Sequence, residues 1–282
     1  MQDISNTKAF KVWLKNKNGI GCNPKFAGVA VPVFSLKSND SFGIGEFNDL
    51  KYLADWCHKV GLKIIQILPI NDTRTDDSWN NSYPYKAIST KALHPIYLNL
   101  SQMGTLYNEN DKEYFDKQRD ILNAKDFVDY PEVMKIKDEF FKKIFAQTWN
   151  EVRNSYDYHI FFEKNKEWLM PYAEFCIKSQ QTTDNRQQPE LYYFLQYHLD
   201  KQLSEAVDYL HQKGIVLKGD IPIGIGRHSV EAYTSPHLFN LDSQAGAPPD
   251  SFAAEGQNWG FPTYNWEVMS QDNYQWWRER LS

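Results

Sequence analysis

The chain has 282 residues, with 31 Lys+Arg against 36 Asp+Glu for a net charge of −5; 41% of it is hydrophobic and 15% aromatic. That length can bury one large core or two modest ones. A net negative chain without a Lys/Arg run offers little to nucleic acid or to a membrane surface, since both need concentrated positive charge, so neither is an expected partner.

The N-terminal stretch "MQDISNTKAFKVWLKNKNGIG" contains no apolar run of signal-peptide length, and no later segment approaches the roughly 20 apolar residues of a membrane span. The expected location is cytoplasmic. Cys22, Cys57 and Cys176 are widely spaced and odd in number, which gives neither a disulfide framework nor a Cys-x-x-Cys metal clip. They are expected to be reduced fillers.

In chain order, "GVAVPVFSL" (28–36) is a short apolar run bounded by Gly and a polar loop, which predicts a strand buried on both faces. In "EFNDLKYLADWCHKVG", Phe47, Leu50, Leu53, Ala54, Cys57 and Val60 recur at helical spacing and Gly61 supplies a stop. "LKIIQILPI" (62–70) reads as a second buried strand. Together they form a β-α-β unit.

The unit returns downstream. "HKVGLKIIQILPI" (58–70) and "HQKGIVLKGDIPI" (211–223) align without a gap, Gly61 to Pro69 matching Gly214 to Pro222. Such repetition predicts an α/β fold with a parallel sheet or barrel. Asp220 stands where the first copy has Ile67, near the C-terminal end of a buried parallel strand, where barrels and open sheets place their ligands. A loop-capping role remains open for it.

Between the copies, residues 100–204 hold charged, aromatic stretches such as "VMKIKDEFFKKIFAQTWNEVR" and "PELYYFLQYHLDKQLSEAV". Their apolar residues recur every three or four positions, predicting amphipathic helices whose aromatic stripes serve packing. The expected segments are therefore 1–99 with two barrel units, 100–204 as a helical insertion, and 205–282 as a third unit with a long loop.

Three Gly-x-Gly stretches, at 19–21, 43–45 and 224–226, lack the third glycine of a dinucleotide fingerprint, and no phosphate-loop Gly-Lys-Ser/Thr occurs. Neither His-Glu-x-x-His nor Gly-x-Ser-x-Gly is present. No cofactor and no metal are expected.

What remains is the pair of loops that follow the second and third strands. They carry Asp72, Trp79, Tyr83 and Tyr85 in the first, and His228, Asp250, Gln257, Asn258, Trp259 and Tyr264 in the second. Aromatic faces stack on pyranose rings while carboxylates and amides bond hydroxyl edges, so the mixture suits a neutral polyhydroxylated ligand. In "APPDSFAAEGQNWG" (247–260) the prolines restrain Asp250, and Gly256 and Gly260 allow close approach at Trp259. An ordinary surface loop with turn-forming Pro and Gly fits the same composition.

Five stretches in order, "SLKSNDSFGIGEFNDL" (35–50), "QILPINDT" (66–73), "SYPYKAISTKALHPIYL" (82–98), "GDIPIGIGRHS" (219–229) and "GAPPDSFAAEGQNWGFPTYNWEVM" (246–269), resemble the motifs of the 4-α-glucanotransferases, or amylomaltases. The "NDT…W…SYPY" form is most similar to the plant cytosolic disproportionating branch and its bacterial relatives. The resemblance implies a (β/α)8 barrel, of which this chain holds about the first three strands with a helical insertion. It also implies a retaining transfer of α-1,4-glucan segments between maltooligosaccharides. That chemistry needs a carboxylate nucleophile and a carboxylic acid/base about 5 Å apart.

By this resemblance Tyr85 stacks near the scissile bond, Asp220 supports the sugar pocket, and the loop with Asp250 and Trp259 reaches over the glucan; Asp72, Trp79, His228 and Gln257 join them as candidate binding residues. No catalytic residue is assigned. The family's nucleophile Asp, acid/base Glu and third Asp belong to motifs later than "WWRERL" (276–281), and so are expected beyond Ser282. The chain alone is thus expected to be inactive and, with open barrel edges, to self-associate. The other reading is a non-catalytic α-glucan-binding or assembly module.

Overall fold

The computed structural model of the protein describes residues 25–75, 78–179 and 188–281. Cys22, the Gly-x-Gly at 19–21 and Ser282 lie outside the described residues. Three strands, β1 (Gly28–Ala30), β2 (Ile64–Gln66) and β3 (Val216–Lys218), form a parallel sheet in the order β1-β2-β3. The register pairs Gly28 with Ile64 and Ile64 with Val216. The β-α-β unit and its distant return therefore lie side by side in one sheet.

Helix α1 (Asp49–Val60) connects β1 to β2, burying Leu50, Ala54 and Cys57 and ending at Gly61 in the left-handed region (φ 85°). Val60, expected on its buried face, is 52% exposed, because it sits in the last turn beside the cap. The first strand also departs from expectation: it has three residues, of which Gly28 and Ala30 are exposed, and a 3-10 turn at Val33–Ser35 follows it. Pro32 accounts for the early stop, since it has no N–H to give a ladder and holds φ near −70°. Beside it, β2 is the central strand, with Ile65 fully buried.

Residues 100–212 form four long helices: α2 (Glu109–Asn123), α3 (Tyr130–Val152), α4 (Tyr156–Ser179) and α5 (Pro189–Gln212). Their aromatic stripes pack: Phe145, Trp149, Tyr158, Phe194 and Tyr197 stack or meet edge to face at centroid distances of 5.2 to 6.2 Å. No helix among the described residues is long and apolar enough to cross a membrane.

The chain divides into two compact units. The first holds the described residues through Ile70 together with Pro95–Phe161 and Phe194–Asp220; the second holds Asn71–His94, Phe162–Tyr193 and Ile221 onward. Each of the sequential segments 1–99, 100–204 and 205–282 contributes to both units. The repeated Pro-Ile strand ends fall at the changes of unit.

The first unit is tied together by a buried polar network. Lys137 of α3 donates to Glu46 Oε1 (2.5 Å) and to the carbonyls of Ile96 (2.6 Å) and Leu98 (2.7 Å), and both charged side chains have zero exposure. Glu46 Oε2 accepts from Asn99 Nδ2 (2.8 Å), and Asn99 exchanges two bonds with Gln202 of α5. Asp49 at the start of α1 accepts from the Glu46 N–H and from Ser38 Oγ. Burial pushes the Glu46 carboxyl up to about 7, against the pull of the Lys137 ammonium. With every ammonium proton placed, no charge is left unmatched, and the network links α3 through Glu46 to Asp49 of α1 and through Asn99 to Gln202 of α5.

Candidate functional site

Seven of the eight candidate binding residues belong to the second unit, and Asp220 closes the first. Within the second unit the two loops form one body. Gly226 N–H donates to the Ala87 carbonyl (3.2 Å) and Val230 N–H to Ile88 O (2.8 Å), while Glu231 Oε1 accepts from both Thr90 N–H and Thr90 Oγ1 at 2.7 Å. Beneath the later loop, Ile225, Ala232, Leu238, Phe239 and Met269 form a core, with Tyr264, Trp276 and Trp277 packed on it. Arg280 lies over Trp276 and Trp277 (5.2 and 5.1 Å to the ring centroids) and donates to the Pro222 carbonyl.

On this frame the loop tips present aromatic faces. Trp79, in a 3-10 turn capped by Ser78, is 52% exposed, Tyr83 is 55% exposed, and the Tyr83 and Tyr85 rings lie 5.7 Å apart at 47°. In the later loop, β4 (Gly246–Ala247) and β5 (Gln257–Asn258) form a short antiparallel ladder. Trp259 N–H then donates to Ala245 O (3.0 Å), and its indole Nε1–H donates to Gln257 Oε1 (3.0 Å). Trp259 is held as a half-exposed platform with an amide at its edge. Gly246 is required here, because a Cβ would stand 2.0 Å from Gln257 O.

Asp250 is exposed, and its Oδ1 accepts from the N–H groups of Phe252 (2.8 Å) and Ala253 (2.7 Å). The residue thus shapes its turn while keeping its carboxylate at the surface. His228 is exposed and Asp220 partly exposed.

Asp72 is placed differently. It is 2% exposed, Oδ2 accepts from Tyr172 Oη (2.6 Å) and Oδ1 from Arg74 N–H (3.0 Å). Its main chain also closes the loop, N–H to Ala92 O (2.9 Å) and carbonyl from Ile88 N–H (2.7 Å). Burial pushes its carboxyl up to about 6, with the Tyr172 hydroxyl opposing that rise. Asp72 is therefore an interior brace and not a surface group.

Sequence reasoning missed three residues that shape this body: Tyr172, Glu231 and Arg280. Tyr172 falls within the helical region, Glu231 within the later loop and Arg280 within "WWRERL", and only the tertiary partner distinguishes each from a packing or solvent-facing residue. Among the described residues, no group of three His, Cys, Asp or Glu side chains is placed to hold a metal ion.

The sequence matches the family profile of glycoside hydrolase family 77, described as 4-alpha-glucanotransferase, over residues 31–186 and 178–282. This chain belongs to the 4-α-glucanotransferase family.

Within that family it is similar to 4-alpha-glucanotransferase DPE2 of Oryza sativa subsp. japonica, 41% identical over 99% of this chain and 32% of the relative. It is also similar to the 4-alpha-glucanotransferase of Chlamydia muridarum, at 35% over 99% of this chain and 55% of that one. The chain thus spans about a third of the rice glucanotransferase and about half of the chlamydial one. Among solved structures, an amylomaltase from Streptococcus agalactiae in complex with acarbose superposes with a TM-score of 0.74 at 27% identity, covering 91% of this chain and 56% of the other. The amylomaltase from Corynebacterium glutamicum gives 0.79 at 20% identity, over 98% and 40%, a likeness of fold. The α/β architecture read from the repeat is that of these glucanotransferases.

Proposed function

We propose that this chain supplies the α-1,4-glucan-binding loops of a 4-α-glucanotransferase, built on the first three β/α units of a (β/α)8 barrel. Support for the barrel comes from the register. The gapless repeat makes Ile64 equivalent to Leu217, yet Ile64 pairs with Val216, one residue away. A shift of about one residue per strand is the stagger that eight strands need to close with a shear of 8.

The observation that carries the functional reading is the single hydrogen-bonded body made by loops 71–94 and 221–264, with Trp79, Tyr83 and Trp259 exposed on it. Tyr85 and Trp259 stack on pyranose faces, and Trp79 extends that aromatic surface. Gln257, His228 and Asp250 meet hydroxyl edges, and Asp72 holds the first loop in shape. The streptococcal amylomaltase is in complex with acarbose, an oligosaccharide, in keeping with this ligand class.

The transfer itself proceeds with retention, one carboxylate holding the glycosyl group and a second carboxyl protonating the departing oxygen. None of the motifs matched here contains that pair, so the chain by itself binds glucan without turning it over. β1 and β3 each have one ladder partner among the described residues, and we expect self-association through these edges.

Titration with maltoheptaose, followed by tryptophan fluorescence, tests the reading: saturable change is expected, and a flat response overturns it. With maltotriose and host enzymes removed, no glucose is expected; its steady release would show that the chain holds its own catalytic carboxylates. Light scattering across concentration tests self-association, which a constant monomer mass would contradict.

A further inference from the structure

The helical region was expected to serve packing, yet one of its side chains reaches into the loop that bears Tyr85. Tyr172 is 1% exposed on α4, and its hydroxyl donates to Asp72 Oδ2 at 2.6 Å. Asp72 in turn fastens both ends of the loop, through Ala92 O, Ile88 N–H and Arg74 N–H. The loop's tail, Ala87 to Thr90, is the part that bonds to Gly226, Val230 and Glu231. The Tyr172 hydroxyl thus holds the carboxylate of the residue whose main chain bonds Ala92 and Ile88 and whose other oxygen holds Arg74 N–H.

We propose that Tyr172 is a positioning residue for glucan binding: through Asp72 it holds the main chain at Arg74, Ile88 and Ala92, and with it the aromatic platform at Tyr83 and Tyr85. The inference rests on the glucan-binding reading above for its effect on affinity, though not for its effect on the loop.

The physical case is one of matched groups. A buried carboxylate needs donors, and here they are one side-chain hydroxyl and main-chain N–H groups. If the hydroxyl goes, Oδ2 is left buried without its donor, and the loop can relieve that only by moving Asp72 toward water. Such a shift need not unfold the protein, but a displacement of about 1 Å in a stacking ring is enough to weaken a sugar contact. The ring of Tyr172 meanwhile has its own packing against Trp168 and Tyr192, at 6.4 and 6.0 Å, which phenylalanine retains.

A pH signature separates positioning from bulk packing. The groups facing Asp72 are Tyr172 and Cys176 of α4 and Arg74 of its own loop. Both carboxylate oxygens act as acceptors, so protonation of Asp72 reverses a bond on which the loop depends. Glucan affinity should fall as pH drops through about 6, where burial has placed the carboxyl. The Tyr172 hydroxyl favours the ionised form, so its removal moves that midpoint upward.

The test uses the 282-residue chain, its Tyr172→Phe variant and its Asp72→Asn variant. Maltoheptaose affinity is measured from pH 5 to 8 (roughly the window around a raised carboxyl), and amide hydrogen exchange is followed by peptide across 72–92. For Tyr172→Phe we expect about tenfold weaker binding at pH 7.5, faster exchange confined to 72–92, and a higher pH midpoint. For Asp72→Asn we expect the pH step to vanish. Wild-type affinity, exchange and midpoint in Tyr172→Phe would overturn the proposal, as would an unchanged pH step in Asp72→Asn, which decides the matter if Tyr172→Phe does not fold. If the unaltered chain binds no maltoheptaose, the glucan reading falls, while the exchange arm still decides whether Tyr172 holds the loop.

Discussion

The two units use polar groups in opposite ways. In the first, Lys137, Glu46, Asp49, Asn99 and Gln202 are buried and matched to one another, and the network joins segments far apart in the chain. In the second, polar and aromatic groups are held out on loops: Trp79, Tyr83 and Trp259 are about half exposed and Phe252 is 97% exposed. Buried side-chain atoms without a hydrogen-bond partner occur in both units: His198 Nδ1 and Nε2 in the first, and Glu231 Oε2, Trp277 Nε1 and Arg280 Nη1 in the second. The first unit thus uses a buried polar network for shape, and the second carries exposed aromatic rings on its loops. Substitutions in the two should therefore separate stability from binding.

The largest effect should come from Lys137→Met, which leaves the Glu46 carboxylate buried without its cation. A loss of about 3–5 kcal/mol in chemical unfolding at pH 8 is expected. The loss should shrink toward pH 5, because burial already raises Glu46 to about 7 and it can take up a proton. An equal loss at both pH values would show that the ammonium's bonds to Ile96 and Leu98, not the ion pair, carry the stability.

Next is His198, 6% exposed, packed against Phe194 and Tyr197, with neither ring nitrogen partnered. Burial, aided by Lys201, pushes it down to about 4. The unfolded chain takes the proton first, so the group costs stability as pH falls from about 6.5 toward 4, by up to about 3 kcal/mol. His198→Leu should flatten this acid slope in melting curves, whatever it does to stability at pH 8. An unaltered slope would place the acid sensitivity elsewhere.

A pair of glycines sharpens the contrast between units. At Gly45 a Cβ would stand 1.9 Å from Val33 O and 2.6 Å from Leu36 N, so Gly45→Ala should destabilise by about 1–3 kcal/mol. At Gly246 the clash is with Gln257 O across an exposed hairpin. Gly246→Ala should open that hairpin, leaving the melting temperature nearly unchanged while glucan affinity drops. The reverse pattern would break the division of labour.

For Tyr85→Ala, at a half-buried ring beside Tyr83, a stability loss of about 1 kcal/mol is expected, with maltoheptaose binding weakened about tenfold. A large loss of melting temperature with affinity preserved would make Tyr85 a core residue.

Much of the frame was legible in the sequence because it rests on local rules. The periodicity of Leu50, Ala54 and Cys57 and the stop at Gly61 appear in α1, and the Gly-to-Pro repeat appears as neighbouring parallel strands. The first strand was overcalled, since a run of apolar letters conceals that Pro32 ends a ladder. The β4–β5 hairpin is not legible in the sequence, because two pairs made of Gly, Ala, Gln and Asn leave no hydrophobic alternation to read. In the loops, residue type alone placed Asp72 beside Asp250 as a surface carboxylate, whereas their environments are opposite: one buried under Tyr172, one exposed in a turn. What distinguishes them is a partner 100 residues away, a relation that no local pattern encodes.

Calorimetric titration of the chain with maltoheptaose, beside the same titration of a Tyr85→Ala/Trp259→Ala double variant and of cellohexaose as the β-linked control, tests the central claim most directly. The account predicts saturable binding of maltoheptaose by the parent chain, little by the double variant, and none of the β-linked chain. Equal heats for the variant and the parent, or no binding by either, would contradict it.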